Sequence, residues 1–233
     1  MIRQLPLELP HRPNFAEEDF LAAPSNEKAR ALLDLWPDWP HRLLVLIGPK
    51  GAGKSHLGAI WARRAGARIV AARDLRIDAL PNLAEAPALL VEDADQPPLR
   101  EKELFHLINL AMEQGTFLLV TARAAPDAWG VGTRDLLSRL RRAPALAIEH
   151  PDEAFLRAIL IKLFHDRQIK VEANLIDYLA LRLERSFAAA QEIVAALDRE
   201  GLARGRAVTR ALAGEVLAAS PELGAQGTFD DEH

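Results

Sequence analysis

The segment GPKGAGKS, from Gly48 to Ser55, has the residue types and spacing of a phosphate-binding loop. It fits the pattern G-x-x-x-x-G-K-[ST], in which glycines let the backbone fold around an anion with its amide hydrogens pointing inward. Lys54 would reach the β- and γ-phosphates of a nucleotide, and the Ser55 hydroxyl would bind Mg²⁺. The sequence therefore predicts ADP or ATP, with Mg²⁺, as ligands. The residues predicted to contact the nucleotide here are Gly48, Pro49, Lys50, Gly51, Ala52, Gly53, Lys54 and Ser55.

A pair of acids ends a second apolar segment, ALLVEDAD, in which Glu92 and Asp93 follow the apolar run. In P-loop proteins, a carboxylate at the end of the strand beside the phosphate loop organises the Mg²⁺ ion. We therefore predict Ser55, Glu92 and Asp93 as metal-binding residues, with Asp93 also catalytic. An exposed strand end without a ligand is the alternative, and the sequence leaves open which acid contacts the ion.

A third segment, TRDLLSRLRR, places several arginines on one short predicted helix. The guanidinium group is always charged and presents a planar fork of donors that matches phosphate oxygens. Such a group suits the γ-phosphate of a nucleotide bound to a neighbouring protein. A basic helix that only faces solvent is the alternative. The arginines of this segment are Arg134, Arg139, Arg141 and Arg142.

Strand-like and helical segments alternate up to Pro151, and only helical segments follow it. The predicted strands are RLLVLIG, ARIVAA, ALLVEDAD, TFLLVTAR and ALAIEHP. This alternation predicts an α/β fold with a parallel five-stranded sheet between helices, followed by an all-α domain. We predict an extended tail over residues 1–13, a nucleotide-binding domain over 14–151, a helical lid over 152–220 and a disordered acidic tail over 221–233.

Composition narrows the class of protein. The 233 residues carry a net charge of -4, which argues against a protein that coats nucleic acid by bulk charge. The absence of cysteine excludes disulfides and thiolate metal sites. The longest apolar runs are too short to span a bilayer, and Pro6, Glu8 and Pro10 interrupt any signal-peptide core. We expect a cytoplasmic protein without a membrane partner.

Taken together, these segments resemble the AAA+ part of the bacterial replication initiator DnaA, and within that family the small Hda-type regulators. The resemblance covers roughly residues 14–217. FLAAPSNEKA resembles the adenine-side box, GAGKSHL the P-loop, and SRLRRAPALAIEHPD the segment that carries the arginine finger and enters the lid. It implies an AAA+ fold, Asn26 and His56 at the nucleotide site, Glu92 and Asp93 at the Walker B positions, and Arg139 as a finger acting in trans.

Three residues depart from the family pattern. Glu92 stands where the first Walker B acid is usually aspartate, and Arg123 stands where the sensor strand usually ends in aspartate. Gln191 replaces the sensor arginine of the lid helix. All three positions concern the γ-phosphate, whereas the P-loop is intact. We therefore predict that the chain binds nucleotide and hydrolyses ATP poorly by itself, with the preference between ADP and ATP left open.

Two DNA-binding parts of the initiator have no counterpart in this sequence. No helix-turn-helix domain follows the predicted lid, and only RDLRIDALPNLAEAP, broken by Pro81 and Pro87, separates the second strand from the Walker B strand. In the initiator this interval contains helices that grip single-stranded DNA. We therefore expect neither origin recognition nor strand opening.

The N-terminal segment QLPLEL resembles the sliding-clamp-binding motif at the N-terminus of Hda-type regulators. The predicted clamp contacts are Gln4, Leu5 and Leu7. The Gln4 amide can donate and accept hydrogen bonds in a polar pocket, and the leucines can fill an apolar one. A strand folded onto the sheet, or a disordered end, is the alternative.

The leading hypothesis is a negative regulator of replication initiation. Its predicted partners are DnaA, the sliding clamp (the β subunit of DNA polymerase III) and, through the clamp, DNA; a homodimer is left open. It would promote hydrolysis of DnaA-bound ATP through Arg139. The alternatives are a self-sufficient ATPase of the DnaC-like helicase-loader type and, with less support, a P-loop kinase for a small metabolite.

Overall fold

The computed structural model describes residues 20–220 and 223–224. The predicted clamp contacts Gln4, Leu5 and Leu7 lie outside these residues, as does most of the segment predicted to be disordered. The described chain divides into two compact units, one ending at His150 and the other beginning at Pro151. Each unit is described by itself.

The first unit contains a parallel five-stranded sheet in the order β2-β3-β4-β1-β5. This confirms the predicted sheet. Its strands are β1 (Leu43–Ile47), β2 (Arg68–Ala71), β3 (Ala88–Glu92), β4 (Phe117–Ala122) and β5 (Ala145–Ala147). Its helices are α1 (Glu27–Asp34), α2 (Lys54–Ala65), α3 (Leu80–Ala84), α4 (Glu101–Gln114) and α5 (Arg134–Arg142), with short 3-10 turns at Ala72–Asp74, Ile77–Ala79 and Pro126–Ala128.

The central strands are buried on both faces, which explains why their sequences are continuously apolar. Because side chains alternate along a strand, Leu43 and Val45 of β1 join one hydrophobic cluster, whereas Leu44 and Leu46 join another. Helix α4 packs in the first cluster and helix α2 in the second. The sheet is therefore held between helices.

The loop between β1 and α2 is shaped by glycines in conformations that other residues rarely adopt. Gly51 has φ 77° and Gly53, the N-cap of α2, has φ 97°. Gly66 caps the C-terminus of α2, again in the left-handed conformation. The backbone N–H of Gly48 donates to the Ala122 carbonyl at 3.1 Å, which ties the start of the loop to the end of β4.

The interval between β2 and β3 differs in detail from its prediction. Pro81 does not break structure there, because it lies in the first turn of α3, where its missing N–H costs no helical hydrogen bond. The interval remains short, with α3 spanning five residues.

The second unit is helical, which confirms the predicted all-α lid. It contains α6 (Glu153–Asp166), α7 (Ala173–Ala180), α8 (Phe187–Arg204) and α9 (Arg210–Ala219). Three of these helices begin at side-chain caps. Asp152 accepts from Phe155 N at 2.7 Å, Ser186 from Ala189 N at 3.0 Å and Thr209 from Leu212 N at 3.4 Å. None of the helices in the described ranges is long and apolar enough to cross a membrane.

Two features of this unit depend on packing that the sequence alone does not reveal. The helical pattern of EANLIDYLALRLER continues to Arg185, but α7 ends at Ala180. The chain turns there to bury Leu183, which is 2% exposed and forms an antiparallel bridge with Gly224. Leu223 is also buried. Leu223 and Gly224, from the segment predicted to be disordered, therefore pack against the helical unit.

We predict that Gly48→Ala destabilises the α/β unit. A Cβ atom at this position would lie 2.7 Å from the Ile148 carbonyl oxygen, so the end of β5 would have to move. The free energy of unfolding should fall by about 1–3 kcal/mol, measured by urea denaturation. Gly214→Ala is the control, because its Cβ would meet the Tyr178 hydroxyl at an ordinary 3.4 Å and alanine favours the helix. Equal stability of Gly48→Ala and wild type would contradict this packing.

Candidate nucleotide-binding site and arginine helix

Lys54 is folded into the phosphate loop. Its Nζ atom donates to the carbonyl oxygens of Gly48 at 2.6 Å and Pro49 at 2.9 Å, and its side chain is buried. Burial lowers the pKa of Lys54, because removing the ammonium from water disfavours its charged form. Incoming phosphate oxygens would replace these carbonyls as acceptors and would supply negative charge to the same ammonium.

Charged groups at the ends of the neighbouring strands influence Lys54, including Glu92, Asp93 and Arg123, which the sequence analysis singled out. Asp93 and Asp95 act against burial and raise the pKa of Lys54; Arg123 lowers it and Glu92 raises it. The ends of β1, β3 and β4 therefore bring their charged side chains to one place. This is the edge at which parallel α/β sheets bind ligands.

Asp93 adopts an unusual backbone conformation, with φ 55°. Left-handed backbone at a residue other than glycine costs free energy and is frequent at functional sites. Thr121 of β4 stabilises it, since its hydroxyl accepts from Asp93 N at 3.0 Å and its carbonyl from Ala94 N at 2.9 Å. Thr121 is almost fully buried, so the position of Asp93 is set by the neighbouring strand.

Asp95 is a residue of this site that the sequence analysis missed. Its Oδ2 atom accepts from the backbone N–H groups of Arg123 at 2.7 Å and Ala124 at 3.2 Å. Its Oδ1 atom accepts from Gln96 Nε2 at 2.9 Å. Asp95 thus fixes the end of β4, where Arg123 replaces the expected sensor aspartate. The signal in the sequence was the third acid of the EDAD run, two residues beyond Asp93.

Asn26 braces the segment before α1. Its Oδ1 atom accepts from Ala23 N at 3.0 Å and its Nδ2 atom donates to the Leu21 carbonyl at 3.0 Å. It occupies the N-cap position of α1 but makes no side-chain cap hydrogen bond. Each end of its amide makes one local hydrogen bond, so Asn26 shapes this segment, and its contact with a nucleotide stays a prediction.

His56 connects this segment to the phosphate loop. The ring of Phe20 meets the His56 ring edge-on, with centroids 5.4 Å apart, and His56 is buried. The segment that resembles an adenine-side box is therefore in contact with the start of α2.

The oxygen donors predicted for Mg²⁺ are of the right kind for that ion. Ser55 lies in the first turn of α2 and is exposed. Glu92 ends β3 and Asp93 follows it, and both raise the pKa of Lys54 in the phosphate loop. Mg²⁺ is usually held by one or two carboxylates together with phosphate oxygens and waters. The residues thus fit an ion held jointly with a nucleotide.

The arginines of α5 differ in their surroundings. Arg141 is paired with Asp127, to which its Nε atom donates at 2.7 Å. Arg139 is exposed, and its Cζ atom lies 5.5 Å from the centroid of the Phe105 ring. Among residues 20–220 and 223–224, Arg139 has no carboxylate partner. Arg134 and Arg142 are exposed on the same helix.

Arg139 does not belong to the charged groups that act on Lys54, and Gln191 lies in the other unit. Arg139 is absent from the charges that shift the pKa of Lys54. Gln191 lies on α8 in the second unit, where it is partly exposed. An arginine set apart from the chain's own phosphate loop is what a finger acting on another protein requires.

No family model matches the sequence, whereas solved structures match the fold. Domain III of the Thermotoga maritima replication initiation protein DnaA matches with a TM-score of 0.76 and 18% identity over 92% of this chain and 99% of that one. AMPPCP-bound DnaA from Aquifex aeolicus matches with a TM-score of 0.68 and 18% identity over 82% and 67%. The Thermotoga maritima RuvB K64R mutant matches with a TM-score of 0.66 and 16% identity over 88% and 69%. The chain therefore has the AAA+ fold.

We predict that Lys54→Ala weakens ATP binding by roughly 10- to 100-fold. The variant removes charge-assisted hydrogen bonds to phosphate, each contributing about 1.5–3 kcal/mol. Calorimetric titration with ATP measures the effect. Lys102→Ala is the control, because Lys102 is an exposed lysine on α4. Equal affinities of the two variants would remove Lys54 from the phosphate site.

Proposed function

We propose that this protein is a nucleotide-binding regulator of replication initiation, of the Hda type, which promotes hydrolysis of ATP bound to DnaA. The observation that carries the proposal is the state of Arg139. Its guanidinium is exposed and rests on an aromatic ring, with no carboxylate partner in the described part of the chain. Such a group can enter a neighbour's nucleotide site and stabilise charge that develops on the transferred phosphate.

The chain's own nucleotide would act mainly as a structural ligand. Lys54 and Ser55 would hold ADP or ATP and its Mg²⁺, with Asp93 or Glu92 completing the metal site. Binding of AMPPCP by the similar DnaA from Aquifex aeolicus supports nucleotide binding at this fold. The bound nucleotide would keep the protein in the conformation that meets DnaA.

Slow hydrolysis by the chain alone is supported by the residues around the expected γ-phosphate. Arg123 stands at the sensor position, where the family has an acid. Asp95, which bonds to the backbone of Arg123, already accepts three hydrogen bonds from neighbouring groups. A carboxylate so engaged is poorly placed to orient an attacking water.

The N-terminal segment would supply the second contact, to the sliding clamp and thereby to DNA. Burying Leu5 and Leu7 would contribute about 1.5–3 kcal/mol each. Ordering the segment around Gln4 costs about 1–2 kcal/mol per residue, which offsets most of this gain, so we expect weak binding to a single pocket. A clamp ring with several pockets would strengthen it through effective concentration. This setting implies a cytoplasmic protein.

A self-sufficient ATPase of the DnaC-like helicase-loader type is the second candidate. It is favoured by the complete phosphate loop and by Asp93, whose backbone Thr121 holds in place. The charge of Arg123 beside Lys54 argues against it. The two candidates differ in whether ATP turnover needs DnaA.

We predict that Arg139→Ala lowers the rate of DnaA-bound ATP hydrolysis by roughly 10³-fold or more, because an arginine finger supplied in trans accelerates hydrolysis by about 10³–10⁵. The measurement is single-turnover hydrolysis of ATP preloaded on DnaA, with clamp-loaded DNA present. Arg142→Ala, on the same helix, should stimulate like wild type. Full stimulation by Arg139→Ala would reject the finger assignment.

We predict that replacing Gln4, Leu5 and Leu7 together with alanine abolishes capture by immobilised sliding clamp. The nucleotide affinity should be unchanged, because these residues are not among the predicted nucleotide contacts. His11→Ala, a change just outside the motif, is the control. Clamp capture by the triple variant at the wild-type level would show that the clamp is bound elsewhere or that the motif has another role.

A further inference from the structure

Two side chains of α4, Glu101 and Phe105, contact the helix that carries Arg139. They lie four residues apart, so they occupy the same face of α4 on successive turns. We propose that Glu101 and Phe105 are positioning residues that fix the direction of the Arg139 guanidinium. The inference rests on the proposed function, since it assigns the parts that hold its finger.

Glu101 attaches the start of α5 to the start of α4. Its carboxylate accepts from Gly132 N at 3.1 Å, Thr133 N at 2.9 Å and Thr133 Oγ1 at 2.7 Å. Thr133 is the N-cap of α5, where a negative charge also interacts favourably with the helix dipole. The hydrogen bond from Gly132, followed by those from Thr133, lowers the pKa of Glu101. The carboxylate is therefore ionised at neutral pH and fixes the origin of the helix.

Phe105 makes the second contact, further along both helices. The centroid of its ring lies 5.5 Å from the Arg139 Cζ atom, and Phe105 also packs against the hydrophobic cluster under α4. The ring is anchored by the core on one side and meets the guanidinium on the other. Glu101 thus fixes where α5 begins, and Phe105 fixes where the guanidinium of Arg139 rests.

An aromatic ring can restrain a guanidinium without using its hydrogen-bond donors. The attraction is between the positive charge and the face of the ring, so the N–H groups of Arg139 stay available for phosphate oxygens. A carboxylate at the same place would occupy those donors and repel an incoming phosphate. Arg141 shows this other arrangement on the same helix, since Asp127 engages its guanidinium. Of these two arginines, Arg139 is the one whose N–H donors are not engaged by a carboxylate of the described residues.

A purely structural role for Phe105 makes a different prediction from a positioning role. If Phe105 only fills the core, its apolar volume is what matters. If it positions the Arg139 guanidinium, the face of its aromatic ring is what matters. Phe105→Leu and Phe105→Met keep apolar volume and remove the ring, and Phe105→Tyr keeps both. Under the positioning role, tyrosine should restore function and the two aliphatic variants should not, even where all three are equally stable.

The test measures hydrolysis of DnaA-bound ATP as a function of the concentration of each full-length variant. For Phe105→Leu and Phe105→Met, the maximal rate should fall by roughly two- to fivefold, with the half-saturating concentration unchanged. Phe105→Tyr should retain the wild-type rate. Glu101→Gln should also lower the maximal rate, because it removes the charge that fixes the start of α5.

A second readout needs neither DnaA nor clamp. In wild type and Phe105→Tyr, NMR signals of the Arg139 side chain should be displaced upfield by the ring current, and in Phe105→Leu this displacement should disappear. Its absence in wild type would overturn the inference directly. If Arg139→Ala fails to stimulate but Phe105→Leu keeps the full maximal rate, the positioning role alone is overturned. If Arg139→Ala stimulates normally, the proposed function fails, and the inference fails with it.

Discussion

The burial of the Lys54 ammonium within a loop of backbone groups is the constraint on which the site depends. Burial disfavours its charge, and the loop carbonyls together with the acids at the end of β3 offset that cost. A phosphate group would satisfy the ammonium better than these carbonyls do. The loop is thus ready for an anion before one arrives, which is a property of nucleotide binding and does not by itself imply hydrolysis.

The charged groups lie at one edge of the sheet because β3, β4 and β1 are consecutive parallel strands, with β4 between the other two. The pairing of Val91 with Val120 sets the register that brings Asp93 to Thr121 and Asp95 to the backbone of Arg123. The same end of the sheet carries Arg123, whose charge lowers the pKa of Lys54. The proposed function assigns nucleotide binding to the loop and hydrolysis to the ends of these strands.

The sequence predicted the sheet, the helical lid and the phosphate loop because these depend on local patterns: apolar runs, glycines and caps. It did not reveal that Asp95 bonds to the backbone at the end of β4, or that the Asn26 amide bonds to the segment before α1. Hydrogen-bond partners of this kind depend on the three-dimensional fold. The contrast between Arg139 and Arg141 is of the same kind. Both stand in one basic segment, and only the positions of Phe105 and Asp127 separate the exposed finger candidate from the paired arginine.

The proposed function requires that the chain bind nucleotide but hydrolyse ATP slowly by itself. The most direct test compares equilibrium binding of ATP with steady-state turnover by the isolated protein in Mg²⁺. We expect saturable ATP binding with a turnover rate far below about 1 s⁻¹, which is the low end of kcat values for ordinary enzymes. Turnover at or above about 1 s⁻¹ without DnaA, clamp or DNA would contradict it.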